Sequence, residues 1–116
     1  MLSTVAIGQR GTVQFNPLAT EPQILHVGDT FTVKVQAQTG AGYSWDLWKT
    51  GREGLAFVGQ TSKKATGLIG GPSTVTYSFR ATAPGKPVIT MVYGRPWELE
   101  KGASPVKTLT IPVIIK

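Results

Sequence analysis

His26 is the one imidazole in the 116-residue chain, cysteine is absent, and six carboxylates complete the set of groups that could act in acid–base, covalent or metal chemistry. Without a cysteine there is no thiolate nucleophile, disulfide or zinc–sulfur centre. His26 stands in "QILHVGD", which reads as the entry to a strand, and no serine lies in a recognisable nucleophile context for it to activate. It is therefore read as a structural or surface residue. Glu21, Asp29, Asp46, Glu53, Glu98 and Glu100 are scattered over loop-like sequence, and only Glu98 and Glu100 are close in the chain. That spacing does not suggest the fixed pair across a cleft that glycoside hydrolysis requires, and one histidine with dispersed carboxylates makes a poor metal set. "GLIGG" lacks the Lys-Ser/Thr and the helix that would make it a phosphate loop. The chain reads as a binding protein without a cofactor, and not as an enzyme.

Three stretches could supply a binding surface. In "QTGAGYSW", Gln38 to Trp45, the run Gly40, Ala41 and Gly42 carries so little side chain that its backbone could approach another surface closely. The alternative is a plain turn, with the following Tyr43 and Trp45 in the core. In "KKATGLIGGPST", Leu68 and Ile69 are bracketed by Gly67, Gly70 and Gly71. Apolar residues at such a tip are either tucked back or used against a partner. In "YGRPWELEKG", Arg95, Pro96 and Trp97 follow a strand-like run. Arginine and tryptophan are enriched at the energetic centres of protein interfaces. The competing reading folds Trp97 onto the end of the domain with Arg95 stacked over it as a cation–π pair.

The elements that must position these stretches have a period of two. Phe31, Val33, Val35 and Ala37 alternate with polar residues in "TFTVKVQAQ", as do Val75, Tyr77, Phe79 and Ala81 in "TVTYSFRAT". "VITMVYG" and "KTLTIPVII" add two β-branched runs. Pro112 has no N–H, so the last run is expected at a sheet edge, or with position 112 turned away from a neighbour. Turn signals separate the runs at about the spacing of a β-sandwich. With 14 glycines and 8 prolines, helix is poorly supported. The expectation is an all-β protein of about seven strands in two packed antiparallel sheets, forming a single domain over residues 1–116.

Hydrophobic residues at 41% and charged residues at 16% are too apolar a mix for disorder, and no run approaches the roughly 20 residues of a membrane span. "MLSTVAIGQRGTVQF" lacks the basic and apolar regions of a secretory signal, which predicts a cytoplasmic protein or the mature form of a periplasmic or secreted one. The formal charge of +6 favours acidic partners through long-range steering.

Together the three stretches resemble the chagasin family, inhibitors of papain-like cysteine peptidases built on an immunoglobulin-like β-sandwich. That family carries an Asn-Pro-Thr-Thr-Gly-aromatic loop, a Gly-X-Gly-Gly loop and an Arg-Pro-Trp/Phe loop at one end of the sandwich. Arg95-Pro96-Trp97 matches the third in full, Gly70-Gly71 matches the end of the second, and Gly42-Tyr43 fits the first. Leu68 replaces the leading glycine of the second loop, and Gln38-Thr39-Gly40-Ala41 replace Asn-Pro-Thr-Thr. The resemblance covers nearly the whole chain. It implies that Thr39, Gly40, Ala41 and Gly42 cover the thiolate of a peptidase, and that Leu68, Ile69, Gly70 and Gly71 lie along one wall of its cleft. Arg95, Pro96 and Trp97 would anchor the other wall, Arg95 on polar or acidic groups. The implied partner is a papain-like cysteine peptidase bound by a monomer, with no nucleic acid or membrane involved.

Two rival readings follow from composition. Trp48 and Trp97 could be sugar-stacking platforms of a carbohydrate-binding or adhesive sandwich. The positive charge and the aromatics could suit nucleic acid, but Lys and Arg are spread along the chain instead of clustering with aromatics on one element.

Overall fold

The computed structural model describes residues 11–64 and 71–116. Within them the chain forms β1 (Thr12–Gln14), β2 (Gln23–Leu25), β3 (Thr30–Ala37), β4 (Ser44–Leu47), β5 (Leu55–Lys64), β6 (Ser73–Ala81), β7 (Val88–Gly94), a short helix α1 (Pro96–Glu100) and β8 (Lys107–Ile115). Two four-stranded sheets result, ordered β1-β3-β6-β5 and β2-β8-β7-β4. The alternating runs become the central strands. Phe31 lies opposite Phe79, Val33 opposite Tyr77 and Val35 opposite Val75, so the apolar set of each strand shares one face. The second sheet answers with Leu25, Ile89, Met91, Ile111, Val113 and Ile115, all buried. The two apolar faces form one continuous core, the solution open to amphipathic sheets that must each hide one side.

The fold departs from the expectation in three places. Among the described residues there are eight strands, because the start of the chain splits between the sheets. β1 pairs with β3 and β2 with β8, both in parallel. Between them Asn16 starts a turn, accepting the Leu18 N–H on its side chain and the Ala19 N–H on its carbonyl, and Pro17 and Pro22 interrupt any continuous strand. β5 was hidden by a bulge: the register slips between Phe57 and Gly59, leaving Val58 without a partner and breaking the alternation. A helix does form at 96–100, with Pro96 in its first turn and Glu98 placed to favour the N-terminal dipole; one turn is too short to show a period. Pro112 takes the second of its two expected positions, because β8 is internal and not an edge. The Val113 N–H donates to Pro87 O, which puts Pro112, opposite Val88, at an alternate position whose absent donor faces away from β7.

His26 lies after β2 and not at the entry to a strand. Its N–H donates to Asp29 Oδ2 at 2.8 Å, and Nδ1 stands 3.9 Å from the same oxygen. It belongs to the Gly28-Asp29 turn, as a structural residue. Tyr77 is 3% exposed and its hydroxyl donates to Trp45 O at 3.4 Å. Burial, with a smaller contribution from the Asp46 carboxylate, raises its phenol above the usual 10. The unfolded chain therefore loses this proton first as pH rises, so Tyr77 contributes stability that is present below pH 10 and lost above it. Melting temperatures of wild type and Tyr77→Phe followed from pH 9 upward should show a shallower decline for the variant. Parallel curves would remove Tyr77 from the account.

Candidate functional site

The site grows out of the β4–β7 pair. Ser44 opposes Gly94 and Trp45 opposes Tyr93, so the same register carried one step further sets Tyr43 opposite Arg95. Side chains two apart share a face. Tyr43, Trp45, Tyr93 and Arg95 accordingly form one stack at the end of the sandwich. Tyr43 and Tyr93 rings lie parallel at 5.4 Å, Trp45 leans on Tyr93 at 4.9 Å, and the Arg95 guanidinium covers Tyr43 at 4.6 Å. Tyr43 and Trp45 are packed against the core, as the plain-turn reading expected of them.

Above this stack, Thr39–Ala41 form a 3-10 turn, and Gly42 closes it in the left-handed region at φ 88°. The N–H groups of Ala41 and Tyr43 both donate to Gln38 O, and the Gly42 N–H donates to Thr39 O. The loop that replaces Asn-Pro-Thr-Thr is therefore ordered by its own backbone. Its stem is held from outside as well: Gln38 N–H donates to the Tyr93 hydroxyl at 2.8 Å, and Thr39 Oγ1 lies 3.1 Å from the hydroxyl of buried Ser73. Thr39, Gly40 and Ala41 remain exposed at the tip.

Arg95 is the N-cap residue of α1, in extended conformation, and Pro96 opens the helix. Trp97 is then delivered back over the first loop. The six-membered ring of its indole lies on Gly42, where an added Cβ would overlap Cη2 and approach Cζ3 and Cζ2 at 3.2 and 3.3 Å. Trp97 nonetheless stays 51% exposed. Arg95 is only partly exposed. Its Nε donates to Ala41 O at 3.1 Å, its Nη1 lies 3.7 Å from Glu98 Oε2, and its guanidinium is 6.0 Å from the Trp97 ring. Arg95 thus stacks within the chain, chiefly on Tyr43, while Trp97 keeps half its surface in solvent.

Of the second stretch, Gly71 is half-buried just ahead of β6, two residues before the Ser73 that meets Thr39. Leu68, Ile69 and Gly70 lie outside the described residues. The structure brings Thr39, Gly40, Ala41, Gly42, Arg95, Pro96 and Trp97 together, with Gly71 at the start of the neighbouring strand. Sequence reasoning did not assign Tyr43, Tyr93 and Ser73 to the site. Continuing the period of two from Trp45 and from Tyr93 puts Tyr43 and Arg95 on the right face of their strands, but only the register of β4 on β7 makes them a pair.

Trp48 and Trp97 do not form a common platform. Trp48 follows the last residue of β4, with its N–H bonded to Thr90 O, whereas Trp97 covers Gly42, ahead of the first.

Residues 24–113 match the family described as Chagasin family peptidase inhibitor I42. Amoebiasin-2 of Entamoeba histolytica is 31% identical over 99 residues, spanning 79% of this chain and 76% of that protein. The fold is similar to the crystal structure of the cysteine protease inhibitor EhICP2 from Entamoeba histolytica, with a TM-score of 0.75 at 24% identity over 93% of this chain and 98% of that one. It is also similar to PbICP-C, whose structure was solved in complex with falcipain-2, with a TM-score of 0.58 at 21% identity over 91% of this chain and 99% of that one. The family match runs from β2 into β8 and takes in the loops that join β3 to β4 and β7 to β8, and the chain belongs to the chagasin family, whose members are peptidase inhibitors and not enzymes.

Proposed function

We propose that this inhibitor acts on papain-like cysteine peptidases by seating the Thr39–Gly42 turn over the catalytic thiolate and pressing Trp97 against one wall of the cleft. The observation that carries the proposal is the joined unit of turn and indole, which combines a tip nearly devoid of side chain with a large half-exposed aromatic. In a papain-like enzyme the thiolate and its partner imidazolium lie at the bottom of a cleft. A tip made of Gly40, Ala41 and Gly42 can reach such a depth with backbone alone. Gly71, from the stretch preceding β6, would face the opposite wall. PbICP-C in complex with falcipain-2 gives a precedent for this class of partner. Because the turn is already ordered by three internal backbone bonds, little conformational entropy is lost on docking, so an interface of about 800 Å² per partner suffices for tight reversible binding.

Titration of papain with the wild-type protein should give an inhibition constant of roughly nanomolar order, the usual range for rigid interfaces of this size. Trp97→Ala should weaken it by at least about 30-fold, as removal of a central aromatic anchor does. No inhibition by wild type at micromolar concentration would overturn the proposal.

A further inference from the structure

We infer that Arg95 is a positioning residue of this inhibitor and not a contact to the peptidase: it acts through Tyr43 and Ala41, holding the first loop in its docking geometry. The inference rests on the functional reading above and assigns a division of labour within it. Trp97 offers surface, and Arg95 fixes where that surface stands relative to the turn.

The guanidinium has three uses within the chain. Its plane covers the Tyr43 ring at 4.6 Å, its Nε–H donates to Ala41 O at 3.1 Å, and Nη1 lies 3.7 Å from the Glu98 carboxylate. The first two tie β7's end to the first loop, and the third ties it to α1, the element carrying Trp97. A lysine could approach the ring, but its single ammonium has no planar fork with which to cover the ring and bond the carbonyl together. The Ala41 carbonyl is not engaged by the turn itself, whose backbone bonds end on Gln38 O and Thr39 O. Arg95 thus supplies a restraint on the tip that the turn does not provide for itself. Tyr43 belongs to the same device. It is held by Tyr93 below, at 5.4 Å, and it holds Arg95 above.

Positioning and direct contact have different kinetic signatures. A residue that sets the fraction of molecules ready to dock lowers the apparent association rate in proportion to that fraction and leaves dissociation of the formed complex unchanged. A residue that touches the partner shows its loss mainly in dissociation. Arg95→Ala and Tyr43→Leu should each weaken inhibition of papain by about tenfold or more, the scale of one cation–π contact with one charge-assisted hydrogen bond, with the loss in association. The double variant should be no weaker than the worse single one, because each change breaks the same clamp. Arg95→Lys should recover little.

Amide hydrogen exchange on the free inhibitor tests the clamp without any peptidase. Exchange at Ala41 and Gly42 should accelerate about tenfold or more in Arg95→Ala, while the β3 and β6 amides keep wild-type protection. Unchanged exchange at 41 and 42, a loss confined to dissociation, or additive effects of the two substitutions would each overturn the inference. A wild-type protein that does not inhibit papain, yet shows the accelerated exchange in Arg95→Ala, would sink the functional reading and leave the clamp standing.

Discussion

Gly42→Ala should reduce inhibition of a papain-like peptidase by about 30-fold or more while the protein still folds. Two penalties combine in one methyl group. Gly42 sits at φ 88°, a left-handed conformation that disfavours a Cβ by about 1–2 kcal/mol. The new Cβ would also overlap Cη2 of Trp97, so either the indole leaves its place or the turn retreats. Either movement separates the two parts of the proposed docking surface. Displacing an anchor of this kind costs about 2 kcal/mol or more, which is about 30-fold at 1.4 kcal/mol per tenfold, whereas the backbone strain is common to free and bound inhibitor and falls on stability. The fold is affected by the strain alone, because Trp97 is half in solvent; a fall in melting temperature of about 5–10 °C is expected. Inhibition titrations beside thermal melts read both quantities. A Gly42→Ala protein that inhibits like wild type would show that the indole does not rest on Gly42 when the inhibitor works.

Phe79→Ala should have the reverse profile, with a large loss of stability and little change in the inhibition achieved by each folded molecule. Phe79 is wholly buried in β6, opposite Phe31 across the ladder and 5.8 Å from the Phe57 ring. Truncating a buried phenylalanine removes transfer energy and leaves a cavity, about 3–5 kcal/mol in all, against a total stability of about 5–15 kcal/mol for a domain of this kind. The urea midpoint should fall accordingly, with an unchanged slope. Ser73, at the other end of the same strand, is the residue that meets Thr39, so the cavity opens six residues along β6 from the site. Below the denaturation midpoint the inhibition constant should stay within about twofold of wild type. A stability loss under about 1 kcal/mol would mean that the core collapses into the space.

These two residues also mark what the sequence made visible. Phe79 lies in a run whose alternation is uninterrupted, and β3 and β6 were legible for the same reason, an apolar face toward the core and a polar face away from it, whereas β7 and β8 were legible as β-branched runs. β5 was not, since most of its side chains are exposed and Val58 is skipped by the bulge. β1 and β2 are three residues each, too short for a period, and their placement depends on neighbours distant in the chain. At the candidate site, "RPW" and "GAGY" drew attention by composition and through the family resemblance. The role of Gly42 was not legible, because it is set by an indole 55 positions later. The partner of Arg95 was equally hidden: Tyr43 faces it only once the register of β4 on β7 is fixed, and a four-residue edge strand does not announce its register.

The hydrogen bonds that define the site also carry a consequence for time. Gln38 reaches Tyr93 across 55 positions and Arg95 reaches Ala41 across 54. Contacts so remote form only after long segments have closed, so the proposed docking end is completed when the sheets have met, and not before. Until then the same residues belong to an open, extended chain, the form that a peptidase cleaves. Whether a molecule is met as blocker or as food is decided by how far it has folded.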